Sequence, residues 1–196
     1  ETKHDTQVKP FAIMRHEVTA SEYAKCVSAG QCRAPQFKRR KKKFRACTYH
    51  KTGQENHPLN CVNWYEADQY CQAQGWRLPT ELEWEISARG TQSPRYPWGD
   101  SPPNCAMTVM KDGNLGGCGT GGPLAVGSRP KDRSWVGVFD LGGNVREWTQ
   151  SDYAPYPGGT IFPGTTGKIV RGGSWDIAMD GQAFNTSHLR GTDPPG

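Results

Sequence analysis

Several common signatures are missing from this chain. No run is long and apolar enough to cross a membrane, and hydrophobic residues fill only 34 % of the 196 positions. No two cysteines form a CxxC pair, and no cysteine–histidine cluster has zinc-finger spacing, which excludes the common structural zinc modules. A P-loop, a phosphate-binding GxGxxG, HExxH, GxSxG and an EF-hand are all lacking, so the chemistries built on them have no support. The five histidines (4, 16, 50, 57 and 188) are scattered, and spacing alone assembles no nucleophile–base pair. No cysteine follows Cys118.

What is present points to a loop-rich globular domain. Gly (24) and Pro (15) together approach a fifth of the chain, too many for a helix bundle. Yet 7 Trp, 7 Tyr and 6 Phe supply enough large rings to build a core, which separates this chain from disordered sequences of similar polarity. Its length suits one domain, taken as 1–196, with the stretch 33–56 as a basic insertion loop. Seven cysteines scattered at 26, 32, 47, 61, 71, 105 and 118 suggest disulfides and an extracytoplasmic setting: secreted, periplasmic or cell-surface. Reduced, buried thiols in a cytosolic protein are the alternative. The odd count leaves one cysteine free, paired between chains, or without its partner. The polar opening ETKHDTQVK reads as the start of a mature or excised chain.

Three helices are predicted from their ends. Thr19 with Glu22, Asn63 with Glu66, and Thr80 with Glu83 each have the spacing of a capping box, in which both residues satisfy free amides of the first turn. Gly30, Gly75 and Gly90 are placed to stop the three helices. Phe11–Val18 reads as an early strand, and Val138–Leu141 and Lys168–Arg171 as short strands, each followed by a Gly-Gly pair. Residues 91 to about 135 have no period. Trp98, Met107, Met110 and two cysteines nevertheless favour an ordered, cross-linked loop region there over a linker.

Two motifs carry chemistry. In 38–45, seven of eight residues are basic: Lys38, Arg39, Arg40, Lys41, Lys42, Lys43 and Arg45. Such a run binds nucleic acid, heparin-like polymers or anionic headgroups, or else is simply a solvated loop. It also accounts for the net charge of +5: without those seven charges the rest of the chain carries −2. The run lies between Cys32 and Cys47, so a disulfide would hold the base of this loop. The second motif is Asp140-Leu141-Gly142-Gly143-Asn144-Val145-Arg146-Glu147-Trp148. A Gly-Gly turn that exposes carbonyls, flanked by Asp and Glu, offers the hard oxygen donors of a calcium site. A plain turn in which Asn144 bonds its own backbone is the alternative.

The segments HPLNCVNWYEADQYC (57–71), GWRLPTELEWEISARG (75–90), YPWGD (96–100), VGSRP (126–130), GVFDLGGNVREWTQSDY (137–153) and VRGGSW (170–175) occur in one order. This series strongly resembles the formylglycine-generating enzyme, or sulfatase-modifying factor, family over roughly residues 8–190. The family also includes the C-terminal domain of sulfoxide synthases of the ergothioneine pathway and pyoverdine-maturation proteins. The resemblance implies an α+β, C-type-lectin-like fold with little secondary structure, short helices and many loops.

The same resemblance divides the expected activities. Its oxidase members hold copper(I) with two cysteines, the soft thiolate pair that this ion requires. Counted from Ser174, those positions fall at Gln182 and Ser187, so no copper site and no formylglycine-generating oxidase activity are expected. The sulfoxide synthases take iron-binding histidines from a separate helical domain, for which 196 residues leave no room. A structural calcium site, by contrast, would use Asp140, the carbonyls of Gly143 and Val145, and Glu147. A second calcium site of some members would be replaced by a Cys105–Cys118 disulfide. Cys26, Cys32, Cys47 and Cys61 would form two more bridges, of undetermined connectivity. Members usually close with a GFRC-like strand after the segment resembling Ser187–Pro195. That strand, and a final cysteine that would partner Cys71, are expected to be missing here. The resemblance also implies a ligand surface after RGGSW, of the kind used by variable proteins of diversity-generating retroelements, for a protein or glycan ligand. Trp175, Asp176, Asp180, Gln182, Phe184, Asn185 and His188 would line it. The expected function is therefore a non-catalytic, calcium-bearing binding module. An oxidoreductase or maturation enzyme of the formylglycine-generating or pyoverdine type is the alternative.

Overall fold

Each predicted capping box closes on both sides. Thr19, Asn63 and Thr80 accept the amides of Glu22, Glu66 and Glu83, whose carboxylates return to the cap amides. They open α1 (Ala20–Ser28), α2 (Trp64–Ala73) and α3 (Glu81–Arg89). The computed structural model describes residues 7–36, 46–153, 167–178 and, as backbone, 190–193. Three strands form one antiparallel sheet in the order β1 (Glu147–Asp152), β2 (Lys168–Arg171), β3 (Arg190–Asp193). The β1–β2 register slips between Trp148 and Asp152. There Thr149 Oγ1 donates to the Ile169 carbonyl at 2.9 Å, and Lys168 Nζ reaches the Gln150 carbonyl and Asp152.

Two expected strands are absent. Phe11–Val18 bends at Arg15 and His16, and its backbone is bonded singly to separate loops: the Phe139 amide to Arg15 O and the Leu59 amide to Val18 O. No neighbouring segment runs alongside it far enough to build a ladder. Val138–Leu141 likewise reduces to one bridge, Arg133 with Phe139, because Asp140 turns to positive φ (63°) immediately afterwards. Residues 91–135 are ordered, as expected, through single bridges and a 3₁₀ turn at Gly117–Gly119.

Packing is aromatic and distributed over small clusters. Tyr23 stacks on Tyr70 at 5.7 Å with Cys26 and Cys32 beside them; Trp84 packs with Ala88, Val138 and Leu141; Tyr96 packs with Met110 and stacks on Trp98 at 5.1 Å. Disulfides join Cys26–Cys32, Cys47–Cys61 and Cys105–Cys118, leaving Cys71 free. The pairing left open among the first four cysteines is thereby decided, and no bridge runs from Cys32 to Cys47 across the base of the basic loop. Cys32 lies six residues from Cys26, at the end of α1, and Cys47 is held against Cys61, so each flank of the basic segment is anchored separately. The basic residues 38–45 themselves lie outside the described residues. Chain-entropy arguments rank the bridges by loop length. Replacing Cys26 and Cys32 together by Ser is expected to cost about 2 kcal/mol, against about 3 kcal/mol for Cys47 and Cys61. Urea unfolding of the two double variants would expose a reversed order.

One ion pair should contribute to acid sensitivity. Arg77 grips Glu83 through two bonds of 2.7 Å, and with the Thr80 cap it holds the Glu83 carboxyl down at about 2. A carboxyl depressed on folding contributes stability that is complete above its ordinary pKa of about 4.5 and lost as pH falls towards about 2. Because Arg77 is half exposed (49 %), the contribution is about 1 kcal/mol. Thermal melts between pH 5 and 2.5 should show less acid destabilisation in Glu83→Gln than in the parent. Equal slopes would contradict this assignment.

Candidate functional site

Residues 140–145 are all buried, and glycine makes their path possible. A Cβ on Gly142 would overlap the Trp98 ring, and one on Gly143 would overlap Thr108 Oγ1 and the Val109 carbonyl. Asp140 (φ 63°) and Asn144 (φ 61°) bracket the turn in the left-handed region, which Asp and Asn tolerate better than other non-glycine residues. Asn144 is fully buried: its Oδ1 accepts the Leu124 amide at 3.0 Å, and its backbone carbonyl accepts the Trp175 amide at 2.8 Å. It therefore bonds across the fold, unlike the self-bonded turn considered as the alternative.

Carboxylates are concentrated here to an unusual degree. Asp140 is 1 % exposed; its Oδ2 accepts the Gly127 amide while Oδ1 is buried without a hydrogen-bond partner. Glu147 Oε2 accepts the Trp84 indole N–H at 2.7 Å. Asp132, also buried, accepts Thr108 Oγ1 and the Gly142 amide. Glu17 accepts the side chain of Asn144 at 2.9 Å and the amide of Val145 at 3.1 Å.

Burial is the main force on all four groups. It raises Asp140 to about 6 against the opposing Gly127 bond and the positive influence of His16 and Arg129. Burial, with repulsion from Asp140 and Asp132, raises Glu147 to about 8 despite the Trp84 bond. Asp132 is raised to about 7, chiefly by burial, and Glu17 is driven well above the carboxylate range by burial and then by Asp140 and Glu147. A cation placed among these groups would balance their desolvated charge and draw the raised pKa values down again.

The donor set fits calcium rather than a softer metal. Among the described residues no group of three or more His, Cys, Asp or Glu side chains is placed to hold a metal, so an ion must draw on carbonyls. The carbonyls of Gly143 and Val145 accept no backbone hydrogen bond among those residues. With the orphaned Asp140 Oδ1 and with Glu147 they would make an all-oxygen set, as calcium prefers. The sequence names Asp140, Gly143, Val145 and Glu147 as candidates; the fold adds the buried carboxylates Glu17 and Asp132, which approach from distant parts of the chain.

A groove of about 970 Å³ opens beside this centre, and Glu17, Val145 and Glu147 line it together with Phe11, Tyr23 and Cys71. Trp175 also lines it; Trp175 is half-buried and so close to Gly116 that a Cβ there would overlap its ring, while Asp176 is exposed and accepts Ser174 Oγ. The other expected ligand residues, Asp180, Gln182, Phe184, Asn185 and His188, lie outside the described residues. Cys71 is no poised nucleophile: burial, and then Asp68, push its thiol up to about 11.

Comparison with known proteins agrees with this architecture. Residues 1–195 match the sulfatase-modifying factor enzyme 1-like domain. The chain belongs to this family. A hercynine oxygenase from Mycolicibacterium thermoresistibile is 38 % identical over 141 residues, which is 63 % of this chain and 30 % of that protein. The mouse protein named inactive C-alpha-formylglycine-generating enzyme 2 is 37 % identical over 137 residues, 67 % of this chain and 42 % of its own length. The chain thus spans less than half of either relative. Among solved structures, CarF superposes with a TM-score of 0.69 at 22 % identity over 98 % of this chain and 83 % of its own. The sulfatase-modifying factor domain described here accordingly has the α+β, loop-rich fold of the formylglycine-generating enzyme type. Its three disulfides suit an oxidising compartment, and no described helix is long and apolar enough to cross a membrane.

Proposed function

We propose that this domain is a non-catalytic binding module, stabilised by disulfides and structural calcium, that presents a ligand surface beside and after the RGGSW segment. The observation that carries the non-catalytic part is the cysteine inventory. Six of the seven cysteines are consumed in bridges, and the one remaining thiol, Cys71, cannot by itself supply the thiolate pair that copper(I) needs. The mouse relative, whose name describes it as inactive, supports the same reading. Asp140, the carbonyls of Gly143 and Val145, and Glu147 would hold the calcium. The ion would balance buried charge and pin loops that have little core of their own. The ligand would be a protein or glycan engaged by Trp175 and Asp176, with an anionic polymer as a possible second partner of the basic segment. The setting is secreted, periplasmic or cell-surface.

The identity to a hercynine oxygenase favours a second reading, an oxidoreductase or maturation enzyme. One assay separates the two. The domain is incubated with copper(I), a thiol reductant and a sulfatase-type cysteine peptide, while oxygen uptake and peptide mass are followed. The binding-module reading expects no uptake above the peptide-and-copper blank and no loss of the peptide thiol. Turnover that requires the domain would replace it with the oxidase reading.

A further inference from the structure

The turn at 143–145 is bonded through nearly every polar group it has. The Gly143 amide donates to Asp140 O, the Asn144 amide to Val109 O, and the Asn144 carbonyl accepts the Trp175 amide. The Asn144 side chain bonds Leu124 through both of its ends, and its Nδ2 also donates to Glu17 Oε2. Val145 N donates to Glu17 Oε1. Only the Gly143 and Val145 carbonyls stand apart from this set, and those are the two backbone oxygens a calcium ion would need. Glu17 spends both of its own oxygens on the turn, so it is not itself placed as a ligand.

We infer that Glu17 is the positioning carboxylate of the calcium centre. This rests on the calcium reading above. From the segment just before α1, Glu17 clamps Asn144 and Val145 so that the carbonyls on either side of Asn144 remain turned towards the ion. It also places a further carboxylate beside Asp140 and Glu147, both of which act on it electrostatically. A glutamine cannot reproduce the clamp. Its single carbonyl oxygen can accept from Asn144 or from Val145, while its NH₂ faces the other donor.

The test measures calcium and terbium binding to the whole chain by titration calorimetry and by terbium luminescence sensitised through tryptophan. Wild type and Glu17→Gln are compared, each first stripped with a chelator. The inference expects a calcium Kd raised about 10- to 100-fold in Glu17→Gln, the usual range for lost outer-shell support. It also expects more water on bound terbium, as a carbonyl turns away, and a smaller calcium-induced rise in Tm. A merely structural Glu17 would lower Tm equally in calcium and in chelator and leave Kd within threefold of wild type, and that result overturns the inference. If Glu17→Gln does not fold, Asn144→Gly decides. It keeps the positive φ but removes the donor to Glu17; a raised Kd supports the clamp, and an unchanged one overturns it. If wild type itself binds neither ion, the calcium reading fails and takes this inference with it. If wild type binds and Glu17→Gln binds as tightly, only the role of Glu17 falls.

Discussion

Calcium at about 100 times its Kd is expected to stabilise the chelated domain by about 2.7 kcal/mol, because an ion that binds only the folded state shifts the equilibrium by mass action. For a chain of this size that corresponds to a rise in Tm of roughly 5–10 °C. Magnesium should do much less, since it sheds water reluctantly and demands a tighter octahedron than a turn with two carbonyls offers. Asp140→Asn is the informative variant. Asn accepts the left-handed backbone found at 140 and keeps an oxygen for the Gly127 amide, but the charge is gone. Calcium-induced stabilisation should therefore shrink to under about 1 kcal/mol in that variant while the chelated protein still folds, as followed by scanning calorimetry. An undiminished calcium effect would remove Asp140 from the site.

Trp84→Ala should be the most damaging single change, at about 3–5 kcal/mol in urea unfolding. Trp84 is completely buried in α3 and packs on Val138 and Leu141. The Arg171 guanidinium sits 4.9 Å from its ring centre, and its indole N–H donates to Glu147 at 2.7 Å. Gly172 borders the ring too, where a Cβ would be in ordinary contact with it at 3.5 Å. Trp84→Phe separates the contributions: most of the packing survives, but Glu147 loses its donor, at a cost of about 1–3 kcal/mol. If Trp84→Ala cost less than about 1 kcal/mol, the view that aromatic clusters rather than an aliphatic core hold this domain would be wrong.

The parts legible in the sequence share a short range. A capping box is written in residues three apart, so Thr19–Glu22, Asn63–Glu66 and Thr80–Glu83 announced their helices directly. The Gly-Gly turn and its flanking carboxylates could likewise be read as an oxygen-rich centre. The mixed apolar and polar run Phe11–Val18 suits a strand but forms none, because a strand needs a neighbour and this segment finds only separate loop contacts. β1 carries no such local signal: it begins inside the Gly-Gly motif, and its partner β2 lies beyond a long connection.

By itself the sequence determined the family, the helix ends and the loop-rich aromatic character, all carried by local spacing or ordered motifs, while its resemblance to the family named four candidate calcium ligands. Tertiary structure alone decided that Cys32 turns back to Cys26 and that Asp140 keeps one buried oxygen without a partner. It also decided that Glu17 reaches across 127 residues of chain to clamp Asn144. Nothing near Glu17 in the chain distinguishes it from a solvated carboxylate. Its role arises because folding removes water from it and leaves the turn at 143–145 as its hydrogen-bonding environment, and no local pattern can encode that.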